Sequence, residues 1–425
     1  MMMREVAAAL RDRRAGSDLS RLRLGPRIVR GRKVVLRQPQ FGDYAKWRRV
    51  RLRDRRYIEP FWVSSDLEWA DRHTKRRWIR ECIEQRKAAG RSHAVSLVIE
   101  VDGRLAGQCA ISALDHRTRS GELGVWVDSE LAHEGVSGLA SAMLVDHMMN
   151  SEDLDRVTAP ICVDNEPALR SVAKGGMYRE AVMRESFDAG GRRRDHQLWA
   201  ATRDRMPDGG YADYWLAHFA DTDIGALTPV SVQGHMRDML VHFPIWFSES
   251  IRHVIWDWRA GRARRRQLES LQIRTSPGSP VVLRREVRAR HDSPSSLPST
   301  GLLAEVDGVP VMRCEIHLLH RPWATADLSL EPLGETTSEI AGMVTAELLS
   351  YAFEVAGMLR VCVAVPVDDQ RIAVALEYVG LLREGKLHSV VDSQGRRGDH
   401  ELWAVTKSAW GGPVDRGNGA PRLIV

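Results

Sequence analysis

Residues 121–140 read GELGVWVDSELAHEGVSGLA: a β-rich run, a short polar loop, and the first turn of an apolar helix. The junction carries Gly135 and Gly138. The first N–H groups of any helix lack partners within it, and the helix dipole adds positive character at that end. A strand–loop–helix junction bearing glycines thus aims several backbone donors at one point, an arrangement suited to a diphosphate. A plain turn has the same composition, so the neighbouring segments decide.

Upstream, HAVSLVIEVDGRLAGQCAISAL (93–114) reads as two strands around the turn Asp102-Gly103. Downstream, VSGLASAMLVDHMMN (136–150) repeats apolar residues at helical spacing through Val136, Leu139, Ala140, Met143, Leu144 and Met148. RVTAPICV (156–163) is strand-like, residues 166–174 are helical, and the stretch ending DHQLWAAT closes in a hairpin. This order predicts a mixed α/β (α+β) sandwich, a central and mainly antiparallel sheet flanked by helices.

The pattern occurs twice. GRRRDHQLWAAT (191–202) returns as GRRGDHELWAVT (395–406), and between 176–202 and 380–406, 13 of 27 positions are identical without a gap. IEVDGRLAGQCAI (99–111) matches AEVDGVPVMRCEI (304–316) at an offset one residue longer, as a loop indel would leave. The expected organisation is a basic arm over 1–26, a first domain over 27–204, a helical connector over 205–266, a second domain over 267–410 and a tail over 411–425. Inside the connector, Phe247, Ile251, Val254, Ile255 and Trp258 form an apolar stripe followed by an Arg run. Segment 245–266 therefore suits a domain-joining helix, a protein partner or an anionic membrane surface.

A hydrophobic fraction of 43% and a charged fraction of 28% belong to a globular chain. No apolar run is long enough to span a bilayer, and the N-terminus lacks the apolar core of a secretory signal. The five cysteines are dispersed without a CxxC pair, which argues for reduced thiols and against a zinc site. The expectation is a cytoplasmic protein, or one peripheral at a membrane. The net charge of +6 comes with no nucleic-acid motif.

The order of blocks resembles the GNAT superfamily of acyl-CoA N-acyltransferases, in its RimJ/RimL-like branch. The resemblance runs over about 27–204, through RGRKVVLRQPQFGDYAKW, GELGVWVDSELAHEG, DNEPALRSVAKGGM and RDHQLWA. It implies acetyl-CoA or another short acyl-CoA as co-substrate, no metal, and an amine acceptor such as a peptide N-terminus, a small amine or an amino sugar. Glu134, Gly135, Val136, Ser137 and Gly138 would hold the CoA pyrophosphate through backbone N–H groups. Strand 121–128 would part from strand 156–163, so that pantetheine pairs along Val125 and Val127, with an N–H near Val127 facing the thioester oxygen. Asn165 would bond the pantetheine arm, Lys174 stands in the block that follows, and Glu122 would serve as the base that keeps the amine neutral.

Departures from the family pattern are Ala132 and Glu134 in the loop, Ala168 at a serine position, and Val172 where many relatives carry a thiolate-protonating tyrosine. Tyr178, Ser171 and Cys162 lie nearby without the family's spacing. The second copy departs further, with Glu339 aligned to Gly135 and Asp369 to Asn165, and reads as a degenerate GNAT-like domain without CoA binding. His196 and His400 match across both copies, which assigns them to hairpin packing. Two functions follow: an N-acyltransferase acting by direct attack, or a non-catalytic scaffold or acyl-CoA sensor.

Overall fold

The computed structural model describes residues 19–218, 279–285, 299–319, 324–392 and 395–411. The apolar stripe and Arg run of 245–266, most of the N-terminal arm and nearly all of the C-terminal tail lie outside the described residues. The chain divides into two compact units: Met1–Arg179 with Trp199–Ala260, and Glu180–Leu198 with Gly261–Val425. The closing hairpin of the first repeat thus clusters with the second unit, and the stretch after 204 with the first.

In the first unit, strands β1 (Arg23–Val29), β2 (Arg32–Arg37), β3 (Val95–Val101), β4 (Arg104–Asp115), β5 (Ser120–Val127) and β6 (Arg156–Cys162) lie side by side in chain order. All pairings are antiparallel except β5 with β6. A parallel neighbour demands a crossover, and helix α3 (Val136–Asn150) supplies it. The β3–β4 turn sits at Asp102-Gly103, both at positive φ, as the Asp-Gly pair requires.

Each sheet face carries its own core. Helix α3 packs on one face, where Leu139, Leu144 and Met148 are fully buried with Leu97, Ile99 and Ile111. Helices α1 (Tyr44–Arg53) and α2 (Lys75–Gly90) cover the other, through Trp47, Trp78 and Ile79 against Val98, Leu105 and Trp126. Strand alternation assigns Leu123 to the α3 face and Trp126 to the α1/α2 face, and Glu122 and Gly124 share the Trp126 side. Helix α4 (Glu166–Lys174) follows β6.

Residues 211–217 are no mere connector. They form helix α5 (Tyr211–Ala217), which buries Tyr211, Ala212 and Trp215 in the α3-side core. Its N-terminus is capped by Asp146 of α3, whose carboxylate accepts from the Tyr211 and Ala212 N–H groups at 2.7 and 2.9 Å. Arg27 pairs with Asp213 on the same helix.

The second unit repeats the order. Strands β9 (Val281–Arg285), β10 (Ser299–Val306), β11 (Val309–Leu319) and β12 (Thr325–Pro332) precede helix α6 (Ser338–Ser350); strand β13 (Arg360–Pro366) and helix α7 (Gln370–Tyr378) come next, and β14 (Leu382–Val391) and β15 (Arg397–Thr406) close it. β12 pairs with β13 in parallel, as β5 does with β6. In this unit β14 also borders β7 (Tyr178–Ala189), which turns back into β8 (Arg192–Thr202). The β7–β14 pairing centres on Ala181 and Gly385, repeat-equivalent positions. A Cβ on Gly385 would lie 2.1 Å from the Glu180 carbonyl oxygen, so only glycine allows that approach.

The two histidines pack as their recurrence implies. His196 is buried, stacks on Phe187 with centroids 3.9 Å apart, and its Nδ1 bonds the Arg194 carbonyl; His400 bonds the Gly398 carbonyl in the same way. Burial lowers both pKa values, that of His196 to about 4.

Candidate functional site

β5 and β6 are paired only from Ser120↔Arg156 to Glu122↔Thr158. Beyond that point the strands continue, Leu123–Val127 on one side and Ala159–Cys162 on the other, with no ladder between them. Val125 is 41% exposed there, unusual for valine within a strand, and Val127 is half-buried. The sequence expectation places pantetheine along this opened edge.

Past β5 the chain turns through Ser129–Leu131 into the loop before α3. That turn is anchored to the end of α1, where Asp54 accepts from the Ser129 N–H and hydroxyl, both at 2.8 Å. Those bonds, with Arg53 beside it, hold the Asp54 carboxyl below its ordinary pKa despite burial. Arg53 also pairs with Asp128, which caps the turn by accepting from the Glu130 N–H at 3.0 Å.

Gly135 is the N-cap of α3, at φ +80°, and offers no side-chain cap. A side chain in this left-handed conformation is strained, which accounts for glycine here. The N–H groups of Val136, Ser137 and Gly138 have no hydrogen-bond partner among the described residues. They form a donor cluster at a helix N-terminus, with the dipole behind it. Glu134 is half-buried and enters no ion pair among the described residues. Arg30 of the β1–β2 turn donates to the His133 carbonyl at 3.3 Å, bringing a cation to a loop whose own sequence lacks one.

Gly138 has a second reason to be glycine. The Trp215 indole lies where its Cβ would be, with the nearest ring atom at 2.2 Å. Trp215 Nε1 donates to the Gly135 carbonyl at 2.9 Å, and Lys174 Nζ lies 5.9 Å from the indole centroid. Lys174 therefore stands at the rim of this corner, against an aromatic wall. Nothing local in the sequence marks Trp215, because its contact spans 80 residues.

Asn165 caps α4, its side-chain oxygen accepting from the Ala168 N–H at 3.4 Å. This leaves its amide NH2 as the group available to a ligand. Glu122 is half-buried, and its carboxylate makes no hydrogen bond or ion pair among the described residues. Desolvation raises its pKa, the direction that suits a general base. Val172, at the position of the relatives' thiolate acid, packs on the α3-side core, and the nearby Tyr178 hydroxyl bonds the Thr202 hydroxyl at 3.0 Å. No group of three His, Cys, Asp or Glu able to hold a metal ion occurs among the described residues, and none of their helices is long and apolar enough to cross a membrane.

Residues 57–90 contribute to the core on the α1/α2 face. Trp69 and Trp78 are fully buried and Trp62 is 38% exposed. Arg119 is drawn to Asp153 and Asp155. Sequence reading passed over Arg51, which sits against Trp62, Trp69 and Trp126 and is 3% exposed.

Comparison with known proteins finds a family match that falls within the first repeat. The family described as acetyltransferase (GNAT) domain matches residues 33–178. The L-amino acid N-acetyltransferase AaaT of Escherichia coli K12 is 25% identical over 153 residues, covering 35% of this chain and 85% of that protein. Among solved structures, RimJ of Mycobacterium smegmatis in complex with CoA-disulfide is 30% identical, covering 48% of this chain and 97% of that one, with a TM-score of 0.46. The ribosomal-protein-S5-alanine acetyltransferase of Vibrio fischeri is 20% identical, covering 41% and 96%, with a TM-score of 0.37.

Proposed function

We propose that the first repeat, whose residues 33–178 match the acetyltransferase (GNAT) domain, transfers an acetyl or other short acyl group from acyl-CoA to a primary amine. The observation that carries this reading is the strand edge opened after Glu122, ending beside a helix N-terminus that no side chain caps. The CoA pyrophosphate would rest on the N–H groups from Val136 to Gly138, with Glu134 turned to water, Arg30 close by and Lys174 at the rim. Pantetheine would extend along Val125 and Val127, and the Asn165 amide would donate to it.

The amine nitrogen attacks the thioester carbonyl carbon. A backbone N–H near Val127 would stabilise the oxyanion, the C–S bond breaks, and the CoA thiolate leaves. Glu122, directly or through water, takes the proton that the nitrogen sheds. Bulk water would protonate the thiolate, since neither Val172 nor Tyr178 supplies an acid. Holding amine and thioester together accounts for much of the acceleration, because the thioester is already activated.

The want of a thiolate acid favours a second reading, a non-catalytic acyl-CoA sensor or scaffold. Thermal unfolding with increasing acetyl-CoA tests the shared step: a ligand held only by the folded state adds about 2.7 kcal/mol at a hundredfold excess over Kd. No shift at millimolar acetyl-CoA overturns both. A shift without acetylation of any amine leaves the sensor.

We propose that the second repeat is a degenerate copy that binds no CoA. Its carboxylate equivalent to Glu122 is Asp327, by the matched registers Glu122↔Thr158 and Asp327↔Cys362, and the Cys362 thiol donates to it at 2.5 Å.

A further inference from the structure

We infer that the acceptor amine is a free amino acid whose carboxylate is received by the Arg51 guanidinium, an inference that rests on the acyl-transfer reading above. Arg51 lies on α1 among the rings of Trp62, Trp69 and Trp126, its guanidinium carbon 3.9, 4.8 and 5.1 Å from their centroids. It is 97% buried, and its Nη1 has no hydrogen-bond partner among the described residues. A buried, unpaired donor on a cation is costly, and such groups in folded proteins call for a reason.

The rest of the side chain is held in place. Its Nε donates to His73 Nε2 at 3.0 Å, while His73 Nδ1 bonds the Trp69 carbonyl at 2.5 Å. Because Nε2 accepts, His73 is the neutral tautomer with its proton on Nδ1. Trp69 Nε1 closes the ring of contacts by donating to the Arg51 carbonyl at 2.8 Å. The carboxylate that interacts electrostatically with Arg51, Glu81, is spent elsewhere: its Oε1 accepts from Gln85 at 2.9 Å and Gln108 at 3.2 Å. The guanidinium is thus oriented and desolvated, with one N–H direction left unanswered.

The location fits a substrate. Trp126 stands between Val125 and Val127 on the opened part of β5, and its side chain points to the face shared by Glu122. The bonds from Asp54 to Ser129 tie the end of α1 to the turn that follows β5. Trp62 is the exposed wall, so its rotation would admit a ligand to Nη1. A carboxylate there would meet a charged donor, with aromatic surface for an apolar body. A peptide N-terminus carries a neutral amide where a free amino acid carries that carboxylate, so its carbonyl oxygen could accept from Nη1 only without the charge assistance.

The experiment compares each of the twenty amino acids with its carboxamide as acceptor, with acetyl-CoA, in the full chain and its Arg51→Met variant. The acid is expected to exceed its amide by about 10- to 100-fold in kcat/KM, the size of one charge-assisted hydrogen bond. In Arg51→Met that ratio falls toward one, while the melting temperature holds or rises because an unpaired buried charge is gone. A purely structural arginine would instead lower the melting temperature and leave the ratio unchanged. Calorimetric titration of the CoA-loaded protein with the same panel reads binding apart from turnover. An acid-to-amide ratio near one in the parent protein, a ratio unmoved in the variant, a preference for peptides, or no binding by any amino acid overturns the inference. Failure of CoA itself to bind strikes the acyl-transfer reading instead.

Discussion

The two repeats start their central helices in opposite ways. Helix α3 begins at Gly135, in a left-handed conformation and without a side-chain cap, and its first donors have no partner among the described residues. Helix α6 begins at Thr337, whose hydroxyl accepts from the Ile340 N–H at 3.3 Å. A Thr cap stabilises a helix by about 1 kcal/mol over Ala at that position and by a few tenths over Gly. The first repeat forgoes that stabilisation and keeps its donors available; the second takes it and closes the position. The carboxylates differ likewise, Glu122 without a partner among the described residues and Asp327 bound by a thiol. Strand parting alone does not separate the repeats, since β12 and β13 also stop pairing, one residue later, after Leu328↔Val363. A ligand site here depends on which polar groups the fold leaves unsatisfied.

The contrast breaks most visibly at the carboxylates. Glu122→Gln should lower kcat by about 100-fold or more if that group removes the amine proton, whereas Asp327→Asn should leave turnover unchanged. The parent rate should fall as pH drops through the Glu122 pKa, which desolvation sets above the ordinary carboxylate value. The sign follows because only the ionised carboxylate accepts a proton. That limb should vanish from the pH–rate profile of Glu122→Gln, and its persistence would assign the base elsewhere.

Gly135→Thr gives the first repeat the second's residue at the helix start. The left-handed conformation should cost the fold about 1–2 kcal/mol, and CoA affinity measured by calorimetry should fall by about 100-fold, as after loss of two charge-assisted hydrogen bonds. Equal affinity in the two proteins would remove the helix start from the site.

Asn165→Asp is a finer instrument, because Asp369 already caps α7 in the second repeat, accepting from the Ile372 N–H at 3.3 Å. Stability in urea should hold, since the cap survives. CoA affinity should fall about 10-fold, because the amide donor is gone. The smallest expected effect is Thr337→Ala, which should cost the second unit about 1 kcal/mol in denaturant unfolding and leave CoA binding unaltered.

Local patterns in the sequence carried far. The predicted helices 136–150 and 166–174 coincide with α3 and α4, because apolar spacing and caps are encoded within each segment. The Asp102-Gly103 turn and the buried histidines are equally local. The alignment of Glu339 with Gly135 is corrected: the structural counterpart at the helix start is Thr337, since the stretch joining strand to helix is shorter in the second repeat. What stayed hidden depends on distant contacts. Trp215 reads as part of a connector until it is seen against Gly138, and Arg51 reads as one charge in a basic run until three tryptophans surround it.

The hairpin of residues 180–198 has a practical consequence for anyone dissecting the molecule. Ala181 packs with Leu387 and Leu402, and the Arg184 N–H donates to Glu384, whose carboxylate is also paired with the buried Arg360. A fragment cut after Thr202 at the repeat boundary would carry β7 stripped of these companions, an exposed edge prone to self-association. It would also lack α5, uncovering the core beside Gly138. Severing the tandem at its apparent seam should therefore yield precipitate rather than a minimal enzyme, and a dissection has to respect the interleaving.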